Sequence, residues 1–242
     1  MIGEIIKSES TIYKIIDKVS VERQNADVYL CENDGGEKFI GKYFCHSVPR
    51  SNIGLGEYNH YGRGRDGSRL VFSEIKAKSQ MYNFLVRHVE RVKHAGNWLI
   101  IIEYISGTAL QDFIYNNWGK HPAACLMAIE ALAKELATWH KNGFAHGDPH
   151  LENAMVSIDS DGSYSVKLID YGQIHHKDFY YCGKYDCFNP QSYDRFAEDL
   201  ENCGKLGHGF RNGIIALQEE LETTEALLQA FDRCYLATLK AS

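Results

Sequence analysis

Three polar residues in the middle of this sequence have the types and the spacing that phosphoryl transfer requires. Asp148 is followed five residues later by Asn153, and Asp170 comes after a stretch with the pattern of a short β-hairpin. In such a reaction one carboxylate orients the attacking hydroxyl group and accepts its proton. Further oxygen ligands hold a divalent metal ion against the nucleotide phosphates. The three side chains together would supply all of these groups at one place.

The two motifs that contain these residues resemble those of the protein-kinase superfamily. The family's catalytic loop has the form H-R-D-x-x-x-x-N and its metal motif the form D-F-G, and the matching segments here are HGDPHLEN at 146–153 and DYG at 170–172. The resemblance implies that Asp148 is the catalytic base, that Asn153 is a metal ligand and that Asp170 is the principal metal ligand. It also implies ATP and Mg²⁺ or Mn²⁺ as cofactors. One such motif alone could be a chance polar loop, but two in order, one hairpin apart, argue against that.

Two further residues resemble the family's phosphate-binding ion pair. Lys42 lies on the third predicted strand, in the place of the V-A-I-K lysine that contacts the α- and β-phosphates. Glu74, near the start of the next predicted helix, is the implied partner that steadies Lys42. An alternative interpretation of each residue stays open. Lys42 could be a solvated lysine on a strand, and Glu74 could be an exposed glutamate in the first turn of a helix.

An adenine-binding segment is implied by the same resemblance. Residues 101–107 (IIEYISG) look like the kinase hinge, so main-chain groups of Glu103 and Ile105 would meet the adenine. Met155 would lie beneath the adenine ring. These residues could instead belong to the hydrophobic core, so they give context rather than independent support.

The sequence also departs from protein kinases in ways that bear on the acceptor. Residues 20–25 (SVERQN) contain no glycine where the family has G-x-G-x-x-G, so cradling of phosphates by main-chain amides is less assured. Gly147 stands in place of the arginine before the catalytic aspartate. His150, which we include among the catalytic residues, stands where a lysine commonly lies near the transferred phosphate. No A-P-E motif follows. The form H-G-D-x-H-x-x-N is typical of kinases for small molecules, sugars and lipopolysaccharide.

Within that group the sequence looks most like the small bacterial heptose kinases of the lipopolysaccharide core. The likeness lies in the stretches 102–107, 147–153 and 192–195, and it implies a lipopolysaccharide-core sugar as the acceptor. Asp194 is expected either to brace the main chain of the catalytic loop or to cap a helix. Two other functions stay open: an atypical serine/threonine protein kinase, including a bacterial effector, and a catalytically inactive, kinase-like nucleotide-binding module.

The elements that must position these residues change from strands to helices along the chain. Three strands are predicted in 11–45, with a hairpin turn at 33–36 (NDGG). A helix is predicted from Ser73 to His88 and a short apolar strand at 98–104. Pro122 begins a helix that Gly143 ends; its apolar residues recur at steps of four and three and are Cys125, Ile129, Leu132, Leu136 and Trp139. A second hairpin, 155–158 with 164–169, and a helical tail complete the pattern.

This order predicts an α+β, two-lobed protein-kinase-like fold. We expect a strand-rich lobe with one helix at 1–105, carrying a loop insert at about 46–69, and a mostly helical lobe with the catalytic loop at 106–242. The 70 residues that follow Gly172 are fewer than a protein kinase uses there, so the second lobe is expected to be reduced.

Composition and charge narrow the classes of protein further. The chain has 242 residues, 44% hydrophobic and 24% charged, which is typical of a globular protein and not of disorder or collagen. No apolar run approaches the roughly 20 residues of a membrane span, and the first residues lack the pattern of a signal peptide. Seven scattered cysteines without C-x-x-C favour reduced thiols. We therefore expect a cytoplasmic protein, while a peripheral position at the inner membrane and translocation as an effector stay open.

The net charge of −6 argues against nucleic acid as a partner, but the charge is uneven. Residues 50–93 contain nine basic residues against four acidic ones. A basic face of this kind would suit a phosphorylated acceptor, an anionic membrane surface or a polyphosphate regulator. A solvated loop and helix face is the equally open alternative.

Overall fold

The computed structural model describes residues 1–19, 26–44, 89–94, 97–170, 175–176, 195–201 and 209–241. These residues divide into two compact units, 1–104 and 105–241. Antiparallel sheets and helices together confirm the predicted α+β class, and they are compatible with a protein-kinase-like fold. Several predictions fall outside the described residues: the segment 20–25, the loop insert 46–69, the helix from Ser73 with Glu74, and Asp194.

The first unit is built on a six-stranded antiparallel sheet. Its strands are β1 (Ile5–Lys7), β2 (Ile12–Val19), β3 (Ala26–Asn33), β4 (Lys38–Phe44), β5 (Val89–His94) and β6 (Asn97–Glu103). Their order in the sheet is β1-β2-β3-β4-β6-β5. Strands β2, β3, β4 and β6 were predicted, as was the turn at 33–36, where the Gly36 amide donates to the Asn33 carbonyl at 3.0 Å. Strands β1 and β5 were not predicted.

One face of this sheet carries the core of the first unit. Nine buried residues form it: Ile6, Tyr13, Ile15, Tyr29, Cys31, Phe39, Val92, Leu99 and Ile101. Gly41 belongs to the same packed layer, because a Cβ there would lie 3.0 Å from Cys31 Sγ. Side chains alternate along a strand, so Lys42, the next residue on β4, lies on the opposite face, where it is half-buried. In the register its neighbours are Val28 and Ile100.

The second unit contains five described helices and five short strands. The helices are α1 (Leu110–Asn117), α2 (Pro122–Lys141), α3 (Arg195–Leu200), α4 (Phe210–Glu220) and α5 (Ala226–Lys240). The strands are β7 (Thr108–Ala109), β8 (Phe144–Ala145), β9 (Ala154–Ile158), β10 (Tyr164–Leu168) and β11 (His175–His176). They form a β10-β9-β7 sheet and a β11-β8 pair. None of the described helices is long and apolar enough to cross a membrane.

Helix α2 is the centre of the second unit. Its predicted apolar stripe is buried, since all five residues are at most 1% exposed, and the helix packs against α5 and β10. It ends where predicted, because Gly143 has a φ of 83°, the left-handed conformation that glycine adopts after a helix. The last turn carries Trp139 and His140, both buried.

Strand β9 is approached closely by the chain that leads into β7. A Cβ built on Gly107 would lie 2.2 Å from the carbonyl oxygen of Val156, and real Cβ atoms do not come so close to main-chain atoms. Pairing of Thr108 with Val156 and of Ala109 with Met155 begins at the next residue. The position therefore requires glycine.

We expect Gly107→Ala to lower the free energy of unfolding by more than about 2 kcal/mol, because the methyl group would force β7 away from β9. Urea denaturation followed by circular dichroism measures this. Gly119→Ala is the matched control: a Cβ there meets nothing within 4 Å. Equal stability of the two variants would contradict the expectation.

Candidate active site

The segment 146–153 is a loop held by its own main chain. The His150 amide donates to the Asp148 carbonyl at 2.9 Å, and the Asn153 amide donates to the His150 carbonyl at 2.9 Å. Residues 151–153 form one turn of 3₁₀ helix, and Leu151 is buried within it. The loop therefore presents its polar side chains from a fixed backbone.

The Asp148 carboxylate lies between two side chains of this loop. Its Oδ1 is 3.1 Å from Nε2 of His150, and its Oδ2 accepts from Nδ2 of Asn153 at 3.3 Å. Burial raises the pKa of Asp148, but the hydrogen bond and charge of His150, with a hydrogen bond from Asn153, outweigh it and lower the pKa below its usual value. The side chain is 29% exposed. An ionised, partly exposed carboxylate can accept a hydrogen bond from an incoming hydroxyl group.

Asn153 and Asp170, whose side-chain oxygens have the chemistry of metal ligands, are brought near each other by a main-chain hydrogen bond. Nδ2 of Asn153 donates to the Asp148 carbonyl at 2.9 Å, so the oxygen of the same side-chain amide is the atom that could bind a metal ion. The Ile169 amide donates to the Asn153 carbonyl at 2.8 Å, so Asp170 directly follows a residue bonded to Asn153. Asp170 has a φ of 61°, a left-handed conformation that aspartate tolerates better than most residues. Carboxylate and amide oxygens fit Mg²⁺ or Mn²⁺.

His146 connects the catalytic loop to the segment that precedes Asp170. Its ring is fully buried and packs against Trp139 and Phe210, with ring centroids 5.5 and 5.8 Å apart. Nδ1 accepts from the Asp148 amide at 3.3 Å, so Nε2 carries the hydrogen that it shares with the Ile169 carbonyl at 2.7 Å. One imidazole thus bonds to the main chain on both sides of the site.

A functional residue that we did not predict, Asp199 on α3, braces the main chain of this loop. Its Oδ2 accepts from the His146 amide at 2.6 Å and its Oδ1 from the Gly147 amide at 2.9 Å, and the side chain is fully buried. The sequence offers Asp194 for this role, with a helix cap as the equal alternative, and Asp194 lies outside the described residues. The signal that could have identified Asp199 is Phe196, an aromatic residue three positions earlier and therefore on the same side of the helix.

Gly147 has a conformation that explains why a glycine stands before Asp148. Its φ is 81°, which a residue with a Cβ rarely adopts. This backbone turn leads the chain on to Asp148, while the Gly147 amide donates to Asp199. The loop therefore takes its geometry from a buried carboxylate and a left-handed glycine.

The remaining site residues from the sequence lie on both units. Lys42 is on β4 and Glu103 ends β6; both are half-buried in the first unit. Ile105 begins the second unit, and Met155 is half-buried on β9, paired with Lys167. The structure thus brings together Asp148, His150 and Asn153, with Asp170 joined through Ile169, while Glu74 and residues 171–172 lie outside the described residues.

No family model matches the chain, but parts of it are similar to serine/threonine protein kinases. It is 27% identical over 103 residues to "Probable serine/threonine-protein kinase 2" of Plasmodium falciparum, and 38% identical over 73 residues to "Probable serine/threonine-protein kinase fnkB" of Dictyostelium discoideum. It is 28% identical over 75 residues to "Serine/threonine-protein kinase PrkC" of Bacillus subtilis. These matches cover 42%, 30% and 31% of this chain and 20%, 13% and 11% of the relatives.

The chain thus spans a fifth or less of the length of these relatives. The similarities are weak and partial, and they support the protein-kinase-like superfamily and the class of kinase-like phosphotransferases. The expected likeness to heptose kinases receives no support from them.

We expect the stability of the protein to depend on pH partly through Asp148. Its pKa is lower in the folded protein, so its contribution is present above the unfolded-state pKa of about 4 and is lost as pH falls through the folded value. Asp148→Asn should therefore show a smaller loss of unfolding free energy between about pH 7 and pH 3 than the wild type. Urea titrations at each pH measure this, with Asp112→Asn, at an exposed position of α1, as the control. An unchanged loss would contradict the expectation.

We expect Asp199→Asn to destabilise the second unit by about 2–4 kcal/mol, because one of the two loop amides would then face an NH₂ group instead of an acceptor. Urea denaturation measures the change. Asp232→Asn removes a carboxylate that is 38% exposed and paired with Arg211, and it should cost about 1 kcal/mol or less. Similar costs for the two variants would show that Asp199 has no special part in the loop.

Proposed function

We propose that this chain is an ATP-dependent kinase that transfers the γ-phosphoryl group of ATP to an alcohol. The observation that carries the proposal is the Asp148 carboxylate, which His150 and Asn153 hold in an ionised form on a rigid loop bonded to the segment before Asp170. Phosphoryl transfer depends mostly on positioning and on charge stabilisation, and such a loop supplies both. The partial similarity to serine/threonine kinases supports the same reaction class.

In the proposed reaction Asp148 orients the acceptor hydroxyl group. The hydroxyl oxygen forms a bond to the γ-phosphorus, the bond from that phosphorus to the β–γ bridging oxygen breaks, and ADP leaves with the bond's electrons. Asp148 accepts the hydroxyl proton. His150 holds Oδ1 of Asp148 in place, and by the resemblance to kinases it takes the place of the lysine near the transferred phosphate. Mg²⁺ or Mn²⁺, held by Asn153 and Asp170, would offset the negative charge of the phosphates.

The nucleotide is assigned to residues of both units on the resemblance to kinases. Lys42 contacts the α- and β-phosphates, and Glu74 steadies Lys42. Main-chain groups of Glu103 and Ile105 bind the adenine, with Met155 beneath its ring. The half-buried position of Lys42, on the sheet face opposite the core, supports its assignment, because a ligand-binding lysine needs that access.

The acceptor we propose is a sugar of the lipopolysaccharide core. The H-G-D-x-H form of residues 146–150 and the absence of A-P-E from the sequence support it, and the basic segment 50–93 would suit a phosphorylated or membrane-bound acceptor at the inner membrane. The second candidate is a protein hydroxyl group, which the names of the relatives favour. The third, an inactive nucleotide-binding module, is favoured by the glycine-free segment 20–25.

One labelling experiment separates these candidates. The protein is incubated with γ-labelled ATP and Mg²⁺ or Mn²⁺, in parallel with a lipopolysaccharide extract and with a protein lysate. We expect label in lipopolysaccharide, and a loss of at least about 10³-fold in turnover for Asp148→Ala and Asp170→Ala. Asp148→Ala should still bind ATP, because the carboxylate acts on the acceptor. Asp112→Asn is the control and should label as the wild type does.

The other outcomes are equally specific. Label confined to proteins of the lysate would replace the sugar acceptor by a protein acceptor. Thermal stabilisation by ATP without label in any acceptor would favour the inactive module. Label that persists in both aspartate variants would overturn the proposed roles of this loop.

A further inference from the structure

A buried hydroxyl group on the last helix is joined to the catalytic loop by a chain of hydrogen bonds. The Tyr235 hydroxyl on α5 lies 2.6 Å from Nδ1 of His140 on α2. Nε2 of the same ring lies 3.0 Å from Oδ2 of Asp199 on α3. Asp199 in turn accepts from the amides of His146 and Gly147. Three helices therefore meet the loop through one hydroxyl, one imidazole and one carboxylate.

The chemistry of this chain fixes the direction of each hydrogen bond. The Asp199 carboxylate is fully buried and already accepts from two main-chain amides. A carboxylate only accepts, so Nε2 of His140 must carry the hydrogen between them. With that hydrogen on Nε2, Nδ1 can accept, and the Tyr235 hydroxyl is placed to donate to it. The hydroxyl group thereby holds the other side of the ring that donates to Asp199.

The surrounding rings hold both partners in place. His140 stacks on Phe196 with ring centroids 4.7 Å apart, and Tyr235 stacks on Phe231 at 5.8 Å with an interplanar angle of 7°. The side chain of His140 is only 2% exposed. Without the hydroxyl group, Nδ1 would be a buried acceptor that has lost its donor, and the ring would lose one of the two hydrogen bonds that hold it against Asp199.

We propose that Tyr235 is a positioning residue for phosphoryl transfer. It acts through His140 to keep both oxygens of Asp199 on the amides of His146 and Gly147, and so it sets the loop conformation that presents Asp148. The inference rests on the proposed kinase function, and it adds a residue outside every motif in the sequence.

The first arm of the test needs no activity. Tyr235→Phe removes the hydroxyl group and keeps the ring stack, while Tyr115→Phe makes the same change at an exposed position on α1. Nitrogen-15 spectra of the histidine rings should show His140 with hydrogen on Nε2 in the wild type and in Tyr115→Phe. In Tyr235→Phe the hydrogen should stay on Nε2, which Asp199 requires, but the Nδ1 resonance should move to that of an acceptor without a hydrogen bond. The main-chain amide signals of His146 and Gly147 should shift with it. A change in packing that kept the hydrogen bond would not move the Nδ1 resonance in this way.

The second arm uses the labelling assay. Tyr235→Phe should lower kcat about tenfold, the effect of one neutral hydrogen bond, with KM for ATP within about twofold of the wild type. In a His140→Gln background the same substitution should change kcat by less than about twofold, because the pathway through the imidazole is already lost. Tyr115→Phe should leave kcat unchanged.

Two results would overturn the inference: an unchanged Nδ1 resonance and unchanged loop amides in Tyr235→Phe, or an equal fall in kcat in both backgrounds. Failure of the proposed kinase function is distinguishable from either. No variant, nor the wild type, would then label any acceptor, and the Nδ1 resonance and the loop amides would still report whether Tyr235 acts on the loop.

Discussion

The carboxylate of Asp199 is the constraint on which the rest of the candidate site depends. It is the one buried acidic side chain in the part of the chain that the structure describes, and a charge taken out of water is costly unless it is fully hydrogen-bonded. Its partners are two consecutive main-chain amides and an imidazole. Such a set is satisfied only when helix α2, helix α3 and the start of the catalytic loop have one arrangement. The need to hydrogen-bond both oxygens of Asp199 therefore fixes how these elements are arranged.

The features around this carboxylate follow from that geometry. Gly147, whose amide donates to Asp199, has a left-handed backbone at this point. The His146 side chain extends from the same point and bonds to the chain just before Asp170. The candidate base Asp148 and the candidate metal ligand Asp170 are thus bound to a common support on their main-chain sides. The side chains of Asp148 and His150 remain partly exposed, where a substrate can reach them.

The sequence was sufficient for elements whose signal is local. The stripe of α2 repeats with the helical period and is buried, and both hairpins are marked by turns rich in Gly, Asn and Asp. Strand β1 was missed because it has only three residues, and β5 (VERVKH) because polar residues dominate it. The function of Asp199 was missed for another reason: its partners are main-chain amides 53 and 52 residues away, which no spacing rule connects. The residues of the two motifs could be predicted because the spacing between them in the sequence is itself the signal.

The two ends of the β9–β10 hairpin have different surroundings: one end lies next to the candidate metal ligands, and the other is a turn in solvent. Ala154 pairs with Leu168, and just beyond this ladder the Ile169 amide donates to the Asn153 carbonyl at 2.8 Å. Asn153 is therefore held against the residue that precedes Asp170. The exposed tip at 159–163 lies at the other end of the ladder. Insertions or deletions at this tip would leave the end next to the candidate metal ligands unaltered, so the tip is the part of the hairpin that can change in length.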